Sequence, residues 1–477
     1  MSDHKALLKH SRNYLFANIA TKALAFAAIP VYTRLMSVEE YGVVNVFISL
    51  ISFSPILMTL NTEVAIGRYY FDAKDIDDFK RFVGCSVLIS SSAFLLMSLL
   101  TVLFAYQLSA QMSFPIALTL SIIPVSLFKV TNSIFCQIYN PMMESRKIAI
   151  FSSLQAYLAF GLSVVAIMLL PKDKYYGYVI GNVLAMMLLW GYLIKQVCEF
   201  VTFSLSLDHI KYLLNYCLPY LPYSLSGIII AQFGKIIISD SSGFASAGLY
   251  SFASNLSLVM LVFIGLIHQA WNPFYFRYMN AHDYKSIDED YDLIWRLTLV
   301  LGCFVSIFSY EIAWFMGKSE YMQSVKILPI LTMGYIFYQW AYVYMRNAGY
   351  AKQTIWMGLA VVACGMSNIV FSIWLIPNYG DLGAAVAFAL SYLIMFLLTY
   401  TLNKLILKIY SPPIEIFTSP LYICSIVILS CIWINICFNY FNFFLFIGKF
   451  CLILGISFLI MLPYKERLCS LVKNEKS

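Results

Sequence analysis

Apolar residues run along this chain in stretches of about 18 to 25, divided by short polar breaks, from one end to the other. Roughly 14 such stretches lie near 13–33, 43–62, 82–106, 114–138, 148–170, 176–195, 212–239, 247–268, 293–316, 327–347, 354–376, 382–402, 417–438 and 441–462. Each is long enough for a helix to cross about 30 Å of hydrocarbon. Backbone in lipid must satisfy its own hydrogen bonds, and the alternation of barrel strands is absent. The pattern predicts an all-α integral membrane protein. The longest connections, near 196–211, 269–292 and 403–416, hold about 15 to 25 residues and leave no room for a soluble domain. The first apolar run is too long for a cleavable signal and leads straight into further spans.

The stretches repeat. At an offset of 206, Gly42 falls on Gly248, Arg68–Phe71 falls on Phe274–Arg277, Arg146 falls on Lys352, and Pro171 and Gly177 fall on Pro377 and Gly383. One offset held over more than a hundred residues marks an internal duplication. The expected organisation is an N-lobe at 1–205 with helices 1–6 and a C-lobe at 206–411 with helices 7–12. Two further helices and a tail follow at 412–477. Six spans per copy return the chain to the same side, so the copies are parallel repeats, and the cleft between them is the natural transport route.

Composition agrees: 61% of residues are hydrophobic and 12% charged, against about 25% charged in a soluble domain. The 11 cysteines are scattered with no CxxC and no histidine pairing, which reads as small core residues rather than disulfides or a metal site. With the N-terminus in the cytoplasm, about 21 of the 31 Lys and Arg fall in cytoplasmic segments, and an even span number puts the C-terminus there too. The net charge of +7 is therefore a topology signal that implies no nucleic-acid partner. No cofactor motif and no Walker-type P-loop is present.

The chemistry lies in polar residues inside the spans. Lys129, Asn132, Ser133, Cys136 and Asn140 form one stripe of span 4, and the offset places Tyr335, Tyr338, Gln339, Tyr342 and Arg346 on span 10. Such stripes line either a water-filled cavity or a dry helix–helix interface, and the spacing alone allows both. Lys22, one turn after Asn18, sits mid-span, and Lys235 lies near the outer end of span 7. Glu63, Asp240 and Glu311 are the acids available for ion coupling or for salt bridges. An excess of cations favours an anionic substrate, and a diphosphate suits several Lys or Arg together. The three span-10 tyrosines suit sugar stacking or simple core packing.

The order TRLMSVEEYGVVNVF, IGRYYF, LPYSLSGIII, AGLYSFASNLS, GYAKQT and SNIVFSIWLIPNYGDLGAAVAFALSY resembles the polysaccharide-transporter family. These are the O-antigen and related flippases of the multidrug/oligosaccharidyl-lipid/polysaccharide exporter superfamily. Its members carry an Asp-Arg pair in span 7, where this chain has Gly234-Lys235: the cation is kept and the acid is missing. The span count is similar to that of lipid II flippases. The resemblance implies a non-enzymatic flippase of the bacterial cytoplasmic (inner) membrane. It would move a lipid-linked oligosaccharide, a repeat unit on undecaprenyl diphosphate, by alternating access and at the expense of a cation gradient. Membrane lipids and the polymerase and glycosyltransferases of the same pathway would be its partners. A multidrug or organic-cation antiporter is the alternative within the superfamily, but it calls for cleft carboxylates. A polysaccharide polymerase or ligase calls for a large outer loop that this chain lacks.

Overall fold

In a computed structural model of the 477-residue chain, residues 21–111, 114–413 and 443–461 are described, and all their regular structure is helical. Asn18 and the expected span at 417–438 lie outside the described residues. By contact density the chain divides into two compact units that meet between Gly248 and Leu249.

The first unit contains α1 (21–35), α2 (Val38–Thr59), α3 (Thr62–Tyr69), α4 (Ile76–Leu103), α5 (Ala105–Gln111), α6 (Ile116–Tyr139), α7 (Ser145–Leu169), α8 (Tyr175–Cys198) and α9 (Leu207–Ile228). A π-helical turn, Ile229–Phe233, leads into α10 (Gly234–Ala281). The second unit takes over inside α10 and continues with α11 (Tyr284–Ile307), α12 (Ser309–Met316), α13 (Leu328–Tyr350), α14 (Ile355–Leu402) and α15 (Phe443–Met461). Among the described residues, seven helices are long and apolar enough to cross a membrane, or eight if α11 and α12, bent by 64°, form one span. Two of the seven, Leu207–Ala281 and Ile355–Leu407, are far too long for a single crossing. Each contains a break, at Gly243 (φ 81°) and at Gly380 (φ 56°), where the backbone enters a region that side chains disfavour.

Local chemistry sets these boundaries. Ser37 caps α2: its Oγ accepts from the Glu40 amide at 3.1 Å, and its own amide donates to Glu40 Oε2 at 2.9 Å. The other oxygen of Glu40 accepts from the Lys174 amide at 2.8 Å, while Lys174 Nζ donates to the Leu35 carbonyl at 2.9 Å. One carboxylate thus caps a helix and also binds the α7–α8 turn to the α1–α2 turn.

In the first unit α2 packs against α4, α6, α8 and α9, so α9 joins the helices that precede it. Two latches hold it there. His209 Nε2 lies 3.2 Å from Asp78 Oδ1, and Tyr212 Oη donates to Asp72 at 2.7 Å. Farther along, Ser49 Oγ donates to Gln232 Oε1 at 2.9 Å. In the second unit α13 packs along α14, and the segment at 408–413 is pinned to α13 by Asn347 donating to the Tyr410 carbonyl at 2.9 Å.

The tightest crossing in the first unit is made by two glycines. A Cβ on Gly42 would lie 1.9 Å from the Phe244 carbonyl oxygen, and one on Gly248 would lie 2.1 Å from the Val38 carbonyl oxygen. Backbone cannot yield there without moving a helix. Gly42→Ala and Gly248→Ala should each cost about 1–3 kcal/mol through overpacking, read as a fall in the melting midpoint in detergent. Gly161→Ala, with open space around the new methyl, serves as the control and should not destabilise. Equal midpoints for all three variants would show that the crossing is not tight.

Candidate functional site

Arg346 of α13 is the cation around which the second unit's polar residues gather. It is buried, as are His268 of α10 and Gln339, about two turns earlier on α13. Arg346 Nη2 lies 2.6 Å from His268 Nδ1, and His268 Nε2 lies 2.7 Å from Gln339 Oε1. Because a guanidinium only donates and an amide oxygen only accepts, His268 is neutral here, with its proton on Nε2. The guanidinium also faces the rings of Trp271, Tyr275 and Tyr342 at 4.8, 5.4 and 5.4 Å. Its Nη1 has no hydrogen-bond partner, and no carboxylate reaches it within ion-pair range among the described residues. A buried charge held by dipoles and rings alone is stabilised without being neutralised. His268 was not legible as a site residue; its only signal is a histidine closing an apolar run.

The sequence-predicted stripe on α13 is brought together in part. Arg346, Gln339 and Tyr342 meet around His268, whose ring lies 4.5 Å from that of Tyr342. Tyr338 packs beside Tyr342 and is half-buried, whereas Tyr335 is buried against Phe388 and Tyr392.

The first unit holds two more cations without acidic partners. Pro55 lies inside α2 and has no amide hydrogen, so the Ile51 carbonyl loses its helical donor. Lys129 Nζ, on α6, donates to that carbonyl at 3.1 Å. Asn132, one turn on, has an Oδ1 with no partner. The stripe Lys129, Asn132, Ser133 and Cys136 is half-buried and Asn140 is exposed, while Phe128, Val130, Ile134, Phe135 and Ile138 are packed. This face of α6 is therefore less closely packed than its opposite side. Lys235, at the start of α10, is 4% exposed and no acid pairs with it among the described residues.

Of the acids, Glu63 is buried and accepts from Thr59 Oγ1 at 2.7 Å, just past the α2–α3 break, where Leu60 and Asn61 both take positive φ. Glu311 is already engaged: Lys449 Nζ of α15 lies 2.9 and 3.1 Å from its two oxygens. Lys449 was not singled out from sequence, because 138 positions separate the partners. Asp240 is exposed near the Gly243 break, and Lys22 is exposed on α1. Within the first unit, no contact among the described residues joins Lys22 to Lys129 or Lys235.

Comparison with known proteins places this geometry. A family profile described as "Polysaccharide biosynthesis protein" matches residues 7–279. The chain is 20% identical over 282 residues to Lsg locus putative protein 1 of Haemophilus influenzae, covering 57% of this chain and 66% of that protein. In fold it is similar to the lipid II flippase MurJ in an inward closed conformation. The TM-score is 0.72 at 17% identity, over 95% of this chain and 99% of that one. It is also similar to an inward-facing multidrug resistance MATE transporter, with a TM-score of 0.59 at 14% identity over 81% and 94% of the two chains.

The Glu311–Lys449 pair gives a direct test of how α15 is held. Lys449→Met leaves a buried acid unpaired and should cost about 3–5 kcal/mol, whereas adding Glu311→Gln should recover most of that loss. Melting in detergent across the four-member cycle measures it. Simple additivity of the two substitutions would mean the pair does not bind α15 to the second unit.

Proposed function

The chain belongs to the polysaccharide biosynthesis protein family, and from that premise we propose that it is a flippase for lipid-linked oligosaccharides. Its substrate is a saccharide repeat unit on undecaprenyl diphosphate, taken from the cytoplasmic to the outer leaflet of the cytoplasmic membrane. The reading rests above all on the balance of buried charge. With the Glu311–Lys449 and Asp78–His209 pairs set aside, buried Lys235 and Arg346 and half-buried Lys129 have no acidic partner among the described residues, and Glu63 is the one other buried acid among them. A site for organic cations calls for the reverse, whereas a diphosphate is the complement of several fixed cations.

In this reading the protein works by alternating access between parallel repeats, an N-lobe at 1–205 and a C-lobe at 206–411. Helix breaks support the duplication: the Ser37 cap stands 206 positions before Gly243, and the α7–α8 turn stands the same distance before the Gly380 break. The glycine crossing supports it too. Gly42 meets Phe244 as Gly248 meets Val38, and these are offset-related pairs, the reciprocity expected about a two-fold axis. Lys129, Asn132, Lys235, Gln339, Tyr342 and Arg346 are assigned to the diphosphate and the nearby sugars, with Lys22, Asn18, Tyr335 and Tyr338 as further lining. Glu63, at a helix break as ion sites in transporters often are, is the first choice for cation coupling, ahead of Asp240 and of the already paired Glu311.

Complementation of a flippase-null strain tests this. The wild-type chain should restore surface glycan, and Lys129→Ala and Arg346→Ala, at normal membrane levels, should accumulate the lipid-linked repeat unit inside. If the wild type relieves no accumulation with a matched set of sugar substrates, the flippase reading fails.

A further inference from the structure

Tyr212, Tyr216, Tyr220 and Tyr223 form a column on α9, spaced four, four and three residues apart along one side of the helix. Neighbouring ring centroids lie 6.3, 6.5 and 5.3 Å apart, and the first three rings are nearly parallel, with interplanar angles of 12° and 21°. The column climbs about 16 Å at the rise of an α-helix. It is not core. Tyr216 and Tyr220 are 37% and 36% exposed, and their hydroxyls have no hydrogen-bond partner among the described residues. The helix's packed face is carried by His209, Leu213, Cys217 and Ser226 instead.

The far side of α9 is different in kind. Leu214, Leu218, Leu221 and Leu225 form a second stripe, roughly 170° around the helix from the tyrosines. Leu214 and Leu218 are 47% and 59% exposed. Lipid tails suit the leucines, which lose nothing there. They do not suit the phenols of Tyr216 and Tyr220, whose hydroxyls would find no partner in hydrocarbon. An interfacial aromatic belt sits at headgroup depth, while this column runs through several turns of the helix. The foot of the column is polar: Tyr212 donates to Asp72 Oδ2 at 2.7 Å, and Arg68 Nη2 lies 3.1 Å from Asp72 Oδ1.

We propose that the tyrosine column of α9 is a saccharide-binding track, on which the sugar rings of the lipid-linked substrate stack while its hydroxyls bond to the phenols and to the Arg68–Asp72 pair. A sugar ring offers an apolar C–H face and a polar rim, and a tyrosine offers an apolar face and a polar tip. Parallel rings repeated along one helix give a surface that tolerates different sugars, because it reads ring faces rather than particular hydroxyls. The leucine stripe has neither property. This inference rests on the flippase reading, but it concerns the glycan, whereas the cations concern the diphosphate.

The two parts of the substrate separate the two ideas. Purified full-length protein is titrated with two lipids: the repeat-unit lipid that accumulates in the null strain, and bare undecaprenyl diphosphate. The wild type should bind the glycan lipid more tightly. Tyr216→Ala/Tyr220→Ala should weaken glycan-lipid binding about tenfold, two aromatic contacts' worth, and leave the bare lipid unchanged. Tyr216→Phe/Tyr220→Phe, which keeps the ring faces, should retain most of the glycan affinity and reports that α9 is intact. Unchanged glycan-lipid affinity in the alanine variant, or equal weakening for both lipids, overturns the track while the flippase reading stands. Wild type that binds neither lipid overturns both.

Discussion

Hydrocarbon offers no hydrogen bonds, so each polar group that this chain carries into the membrane needs a partner within the protein. That constraint explains most of the long-range polar contacts. Pro55 strips the Ile51 carbonyl of its donor, and Lys129 supplies another. Glu63 takes Thr59, Glu311 takes Lys449, and Arg346 takes His268, which in turn takes Gln339. The solutions are not alike. Acids receive donors that satisfy them, and one receives a full opposite charge. Lys129 and Arg346 receive only neutral dipoles and ring faces, so their charge is stabilised without being cancelled. The first arrangement holds helices together, while the second leaves a positive potential inside the protein.

The two units reach this end by different routes. The α6 stripe around Lys129 lies on that helix's less closely packed face. Its counterpart on α13 is largely buried, with Arg346 enclosed by three aromatic rings. The same offset that carries Lys129 onto Tyr335 and Asn140 onto Arg346 moves the cation to the other end of the stripe.

Much of the fold was legible because the membrane makes length diagnostic: uninterrupted apolar runs become helices, and glycines at Gly243 and Gly380 break them. The Ser37–Glu40 cap, by contrast, emerged only with the structure, because the apolar pattern does not mark it. α13 is less clear by hydropathy, since five tyrosines, a glutamine and an arginine dilute its apolar character. The site was harder to read. Lys129 and Arg346 stood out as charges in spans, but a neutral histidine beside an arginine leaves no periodic trace, and neither does an ion pair across 138 positions. The packing of α9 with the first unit was also invisible, because the repeat counts it with the second half while its latches, Asp78 and Asp72, lie in the first. Whether Tyr216 and Tyr220 would be covered depends on that packing, so their exposure was hidden as well.

The contact between Lys129 and the Ile51 carbonyl also bears on how such a chain can vary. Pro55 leaves the Ile51 carbonyl without its helical donor, and Lys129 Nζ at 3.1 Å and Ser54 Oγ at 3.4 Å both donate to it. A carbonyl has two lone pairs, so an amide restored at 55 would compete with the lysine, and removing the lysine would leave the carbonyl to the longer serine contact. The two positions, one in α2 and one in α6, are therefore coupled: the effect of changing one depends on the residue at the other.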